Sequence, residues 1–182
     1  MLEEGKDRLR ELLDEPLTPV STGRGLAAFA AAGIVMLVEL LGAEGWVPIL
    51  DSLNLVFHEA GHPLFGIFGH TIGFMGGTLM QLLVPLLVLG ACFGKREAVG
   101  IGLCGVWFFQ NCLNIARYMA DARAQELPLV GGGEHDWGTL FGQWGLLAQD
   151  TAIARCVRIV GWTGMLGCLA WLAWRWTQDR GR

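Results

Sequence analysis

Residues 60–94 read AGHPLFGIFGHTIGFMGGTLMQLLVPLLVLGACFG, without one Asp, Glu, Lys or Arg. A helix needs about 20 mostly apolar residues to cross a bilayer. This run is longer than one crossing and is expected to fold back on itself near residues 69–73. Three more charge-free runs, at 25–38, 98–116 and 159–174, repeat the pattern. The whole chain is 53% hydrophobic and 16% charged, against about 45–50% and about 25% for soluble proteins. Both measures point to lipid as the solvent.

The expected fold class is all-α: a polytopic membrane helical bundle with four to five membrane segments. They are placed at about residues 25–43, 50–68, 74–94, 98–120 and 156–176, and segment 50–68 either crosses or dips in and returns. Residues 25–176 read as a single membrane-embedded, metalloprotease-like domain that includes a polar loop at 121–150, and residues 177–182 form a polar tail. Residues 1–24 read as a cytosolic or interfacial amphipathic segment with Leu2, Leu9, Leu12 and Leu13 on one helical face. No basic region directly precedes a short apolar core, so an uncleaved first span is expected rather than a signal peptide.

Charge and cysteine usage exclude other classes. A net charge of −4 with no basic cluster speaks against nucleic acid as a partner. Cys92, Cys104, Cys112, Cys156 and Cys168 stand singly in apolar segments without a Cys-x-x-Cys spacing. They indicate neither a disulfide framework nor a cysteine metal site.

The chemistry concentrates at His58-Glu59-Ala60-Gly61-His62. Histidines four apart on a helix emerge from one face and can grip one ion, and the glutamate after the first is placed to take a proton from water activated there. Two imidazoles and a carboxylate in an apolar helix are costly to desolvate, which marks them as functional candidates. The bland alternative is a histidine pair satisfied by hydrogen bonds to neighbouring helices. Pro63 lacks an N–H and is expected to kink or loosen the helix beside the motif.

A catalytic zinc usually has three protein ligands and an open position. The extended His-Glu-x-x-His-x-x-Gly-x-x-His pattern would need Gly at 65 and His at 68, where this chain has Phe65 and Phe68. No acidic residue lies between Ala60 and Arg96. His70 reads as a solvated turn residue. His135 is expected as the third ligand, with Asp136 next, because the preceding Gly131-Gly132-Gly133 can fold that segment back over the site. In the fourth span Gln110, Asn111, Asn114, Arg117, Tyr118 and Asp121 fall on one helical stripe. Such a stripe must face protein or water. It is expected to wall the site or to form an interhelical network, with Asn114 or Tyr118 donating to a substrate carbonyl and Arg117 pairing with Asp121.

The stretch Asn54-Leu-Val-Phe-His-Glu-Ala-Gly-His62, with Gly76-Gly77-Thr78-Leu79 and the segment from Leu127 to Trp137, resembles small bacterial membrane proteins related to the site-2 protease family of intramembrane zinc metalloproteases. The resemblance runs over about residues 50–150. It implies zinc on His58 and His62 with Glu59 as the catalytic base, in an integral protein of the bacterial inner (plasma) membrane. In that family the third ligand is an aspartate of an Asp-Gly motif within a span. This chain has no Asp-Gly and carries His135-Asp136 in a loop-like segment instead. The expected function is an intramembrane zinc metallohydrolase, a protease with the lipid bilayer and a membrane-associated peptide or protein substrate as partners. The rival readings are a non-catalytic metal-binding membrane scaffold and a metal-dependent membrane enzyme acting on lipid.

Overall fold

The computed structural model describes residues 14–42, 45–130 and 133–180. The amphipathic face of Leu2, Leu9, Leu12 and Leu13 lies outside the described residues, as do Gly131 and Gly132. Among the described residues there are six α-helices and no strand: α1 (Thr22–Leu41), α2 (Pro48–Gly66), α3 (His70–Gly94), α4 (Ala98–Ala120), α5 (Asp136–Trp144) and α6 (Asp150–Arg180). A 3-10 turn at Leu147–Gln149 links the last two. α1, α3, α4 and the 147–180 stretch are long and apolar enough to cross a membrane. The chain is an all-α membrane helical bundle.

The helices are built inside out. On α1 the small residues Gly25, Ala28 and Ala32 are buried, while Leu26, Ile34, Leu37 and Leu40 face outward. A lipid solvent removes the reason to bury leucine, so packing favours small residues that let backbones approach. Gly25 illustrates the point, since a Cβ there would fall 2.9 Å from the indole of Trp176 on α6. On α2 the inversion concerns polarity. Asp51, Asn54, His58 and Gly61 recur every three or four residues and are buried, whereas Ile49, Leu53, Val56 and Leu64 are exposed.

That inward stripe is satisfied by α4. The Gln110 amide donates to Asp51 Oδ1 at 2.7 Å and to Glu39 Oε1 at 2.9 Å. Its oxygen accepts from Asn54 Nδ2 at 2.9 Å, and Asn54 Oδ1 accepts from Trp107 Nε1 at 2.8 Å. Away from water each orphaned polar group would cost several kcal/mol. The network therefore pins the start of α2 halfway along α4.

α2 and α3 form a hairpin that turns at residues 67–69, just ahead of the expected place. Gly69 adopts φ +116°, a region side chains rarely tolerate. The helices touch at backbone level, because a Cβ on Gly61 would lie 2.1 Å from the Gly76 carbonyl oxygen. α2 continues through Pro63 to Gly66, with the proline inside the helix. The segment 121–150, expected as a loop, folds in part into α5, which Gly145 ends with a left-handed cap at φ 68°. α6 is longer than the expected 156–176 and starts at Asp150, paired with Arg123 at 2.7 Å.

The two ends of the bundle differ. At one, Thr18 bonds to the Arg96 carbonyl and the Glu97 side chain, Arg24 pairs with Glu97, and the Val20 N–H donates to Asp179 at 2.9 Å. Glu97 lies in the turn there, and the hydrogen bond from Arg24 holds its carboxyl below the usual range. At the other end α4 finishes, and α5 docks Trp137, Leu140 and Phe141 against Ile115, Met119 and Ala154. The His-Glu motif lies at this second end.

Candidate metal centre

α2 places His58 and His62 on one face with their rings edge to face, centroids 4.9 Å apart. Gly77 on α3 makes the room, since a Cβ there would fall 2.6 Å from Cε1 and Nε2 of His58. From the opposite side α5 brings its first residue. Asp136 Oδ2 lies 2.9 Å from His58 Nε2 and 3.4 Å from His62 Nε2. The three residues offer donor atoms that all lie within 4.8 Å of one another. Ligands at about 2.0–2.2 Å from a tetrahedral ion are about 3.3–3.5 Å apart, so the cluster has the dimensions of a shared ion site.

The outer contacts fix how the rings present themselves. His58 Nδ1 lies 3.2 Å from Gln81 Oε1, and the Gln81 amide is oriented by donating to Asn114 Oδ1 at 2.7 Å. His62 Nδ1 lies 2.9 Å from the Gly73 carbonyl oxygen. Both Nδ1 partners are acceptors, so each Nδ1 carries its hydrogen and each Nε2 presents a lone pair in the neutral ring. Two lone pairs and a carboxylate then point at one place. Only protons or a cation can sit between them. This is the arrangement of metal-binding histidines whose second nitrogen is anchored on an oxygen.

Burial alone would push the Asp136 carboxyl up, but the hydrogen bonds from His58 and His62 hold it below the usual carboxylate range. Its backbone N–H donates to the Tyr118 hydroxyl at 3.2 Å.

His135 takes a different part. It caps α5: Nδ1 accepts from the Gly138 N–H at 3.1 Å, and Nε2 lies 3.3 Å from Asp121 Oδ2. Neither nitrogen is among the donor atoms that converge with the pair on α2, and burial pushes this imidazole down. The structure therefore brings Asp136, not His135, to His58 and His62. The physical reason is that His135 serves as the extended N-cap of α5, so the first helical residue, Asp136, is the one turned toward the pair.

Asp121 is held by the N–H groups of Glu126 and Leu127, at 2.9 and 3.1 Å, and so closes the turn after α4. Arg117 lies over the Trp46 ring at 5.5 Å. Asn114 reaches the centre through Gln81. His70 lines the approach to the site, with its ring 4.8 Å from that of Phe74.

Two cavities meet at the cluster. One of about 450 Å³ opens past Gly66, Gly69, Gly73 and Glu134. The other, of about 350 Å³, runs along Trp46, Leu55, Leu127 and Pro128 toward Gln81 and Asn114. The polar side chains common to both are His58, Glu59 and Tyr118. A reacting bond held at the ion site would thus have the Glu59 carboxylate beside it, with room for chain on either side.

Sequence reasoning passed over Gln81, although it is a lone amide in the apolar run from Leu79 to Gly94 and so carried the signal of an intramembrane polar group. The Asp51, Asn54 and Glu39 partners of Gln110 were also missed; the three-and-four spacing of Asp51, Asn54 and His58 could have shown them. Comparison with protein-family models, with curated proteins and with solved structures finds no match.

Proposed function

We propose that this chain is an intramembrane zinc metallohydrolase of the bacterial inner membrane, related to the site-2 proteases, that cleaves membrane-associated peptide segments. One observation carries the reading: three donors from α2 and α5 converge, while Gln81 and Gly73 hold the far nitrogens of both histidines. The set of two imidazoles and one carboxylate suits zinc with one position left open.

When bound, zinc supplies a Lewis acid that acidifies a water toward pKa about 7 and polarises a carbonyl. Glu59 takes the proton of the attacking water and then hands it to the leaving nitrogen, so a C–O bond forms, the C–N bond breaks, and acid and amine depart. The small residues at the mouth, Gly66, Gly69 and Gly73, leave space for a main chain to approach. The apolar walls of the second cavity, Trp46, Leu55 and Leu127, favour segments that come from the bilayer.

The deciding experiment uses the purified chain in lipid bicelles, with elemental analysis and a membrane-inserted peptide as substrate. Expected are about one zinc per chain and cleavage that stops on chelation and returns with zinc. Undiminished cleavage with zinc verified absent would overturn the mechanism, and zinc-dependent release of lipid products without peptide products would overturn the substrate class.

A further inference from the structure

We infer that Tyr118 is the hydrogen-bond donor that stabilises the substrate oxygen as the carbonyl becomes tetrahedral; this rests on the hydrolase reading above. Attack by water on a carbonyl moves charge onto its oxygen, and a donor aimed at that point is worth more in the transition state than in the ground state. The metal cluster and Glu59 provide the nucleophile. A neutral donor on the chain completes the site.

The candidates are few. A carbonyl at the junction of the two cavities meets polar groups of His58, Glu59 and Tyr118. His58 is committed to the ion cluster and Glu59 to the proton, which leaves the phenol. Its oxygen accepts the Asp136 N–H at 3.2 Å, so one lone pair is occupied and the O–H is available to donate. The ring packs against His135 at 4.2 Å and meets His58 edge to face at 5.8 Å, centroid to centroid. Such packing spares reorganisation when the charge appears. Asn114 is the weaker choice, because its oxygen is bonded to Gln81 and it lines only the second cavity.

Tyr118→Phe removes the donor and keeps the ring. Zinc content, melting temperature and KM should stay near wild type, while kcat falls about 100- to 1,000-fold, the usual effect of losing one such donor. A phosphinic peptide, whose tetrahedral oxygens resemble the transition state, should lose affinity for the zinc-loaded variant in proportion to kcat/KM; calorimetry reads this without turnover. Unchanged phosphinic affinity would overturn the inference. Loss of zinc together with activity would also overturn it, by making Tyr118 a support for Asp136. A wild type that carries zinc but neither cleaves peptide nor binds the phosphinic peptide would defeat the hydrolase reading itself, and the role of Tyr118 with it.

Discussion

His58 Nε2 lies 2.9 Å from Asp136 Oδ2, although 78 positions separate the two residues. The contact joins a helix within the membrane region to the first residue of a short helix that follows a polar crossover. Its consequence is a defined ligand set. On the proposed reading the wild type is expected to bind about one zinc per chain, and His58→Ala, His62→Ala and Asp136→Ala should each lose it. His135→Ala should keep it while losing the cap of α5, which by itself costs about 0.5–2 kcal/mol, together with the contacts to Asp121 and Tyr118. Elemental analysis and thermal denaturation of the four variants distinguish these outcomes. Zinc lost from His135→Ala but kept in Asp136→Ala would reverse the assignment.

Proton competition follows from the same geometry. The Nε2 atoms of His58 and His62 must shed any proton before an ion can enter, whereas Asp136 is held below the usual carboxylate range and stays ionised. The sign is therefore set by the imidazoles. Zinc affinity should fall as pH drops below about 9, the value to which the hydrogen bond with Asp136 raises the His62 imidazole. Calorimetry in buffers of different ionisation enthalpy should show on the order of one proton released per ion. An affinity flat over that range would mean that imidazoles do not bind the ion.

Much of this architecture was legible in the chain, and what was not has a physical cause. α4 begins at Ala98 and ends at Ala120 as expected, because a charged turn and Asp121 bound a clean apolar run. The fold-back of residues 60–94 was visible through length alone. α5 was hidden because Gly138 and Gly142 depress helix propensity and the cap is a histidine, outside the usual Ser, Thr, Asp and Asn. The choice between His135 and Asp136 depends on where α5 starts. One residue of shift rotates a side chain by about 100°, and composition carries no record of that phase.

Packing at Gly77 offers a test that touches no ligand. Its Cβ position lies 2.6 Å from two ring atoms of His58, so Gly77→Ala must push the imidazole off Gln81 or out of the cluster. Zinc affinity is expected to fall about 10- to 100-fold, the range seen when outer-shell support is lost. Gly90→Ala in the same helix meets nothing within 4 Å and serves as the control. Competition with a fluorescent chelator measures both, and equal affinities would show that the ring has slack the structure does not give it.

Sidedness should separate the two ends of the bundle. Asp121, Glu126 and the His58–His62–Asp136 cluster lie at the end where α4 finishes, while the 95–97 turn lies with Thr18 and Asp179. In a cysteine-free background, single cysteines at Glu134 and His70 should react with an impermeant maleimide from the same face, and one at Lys95 from the other. Labelling of Glu134 and Lys95 positions from one face would break the topology.

Glu59→Gln separates holding the metal from using it. Glu59 borders both cavities, yet the ion cluster is formed by His58, His62 and Asp136 without it. The amide is nearly isosteric, so the ion should remain at wild-type stoichiometry and the fold at wild-type stability. Gln cannot accept a proton from the attacking water, and loss of a general base typically costs about 100- to 10,000-fold in rate. Full zinc content with cleavage reduced by that factor is the expected pair of results, and His62→Ala should lose both. Zinc lost from Glu59→Gln would make the glutamate a ligand and return the donor set to question. Zinc and cleavage both intact would show that the proton leaves by another route, and the proposed chemistry at this centre would have to be given up.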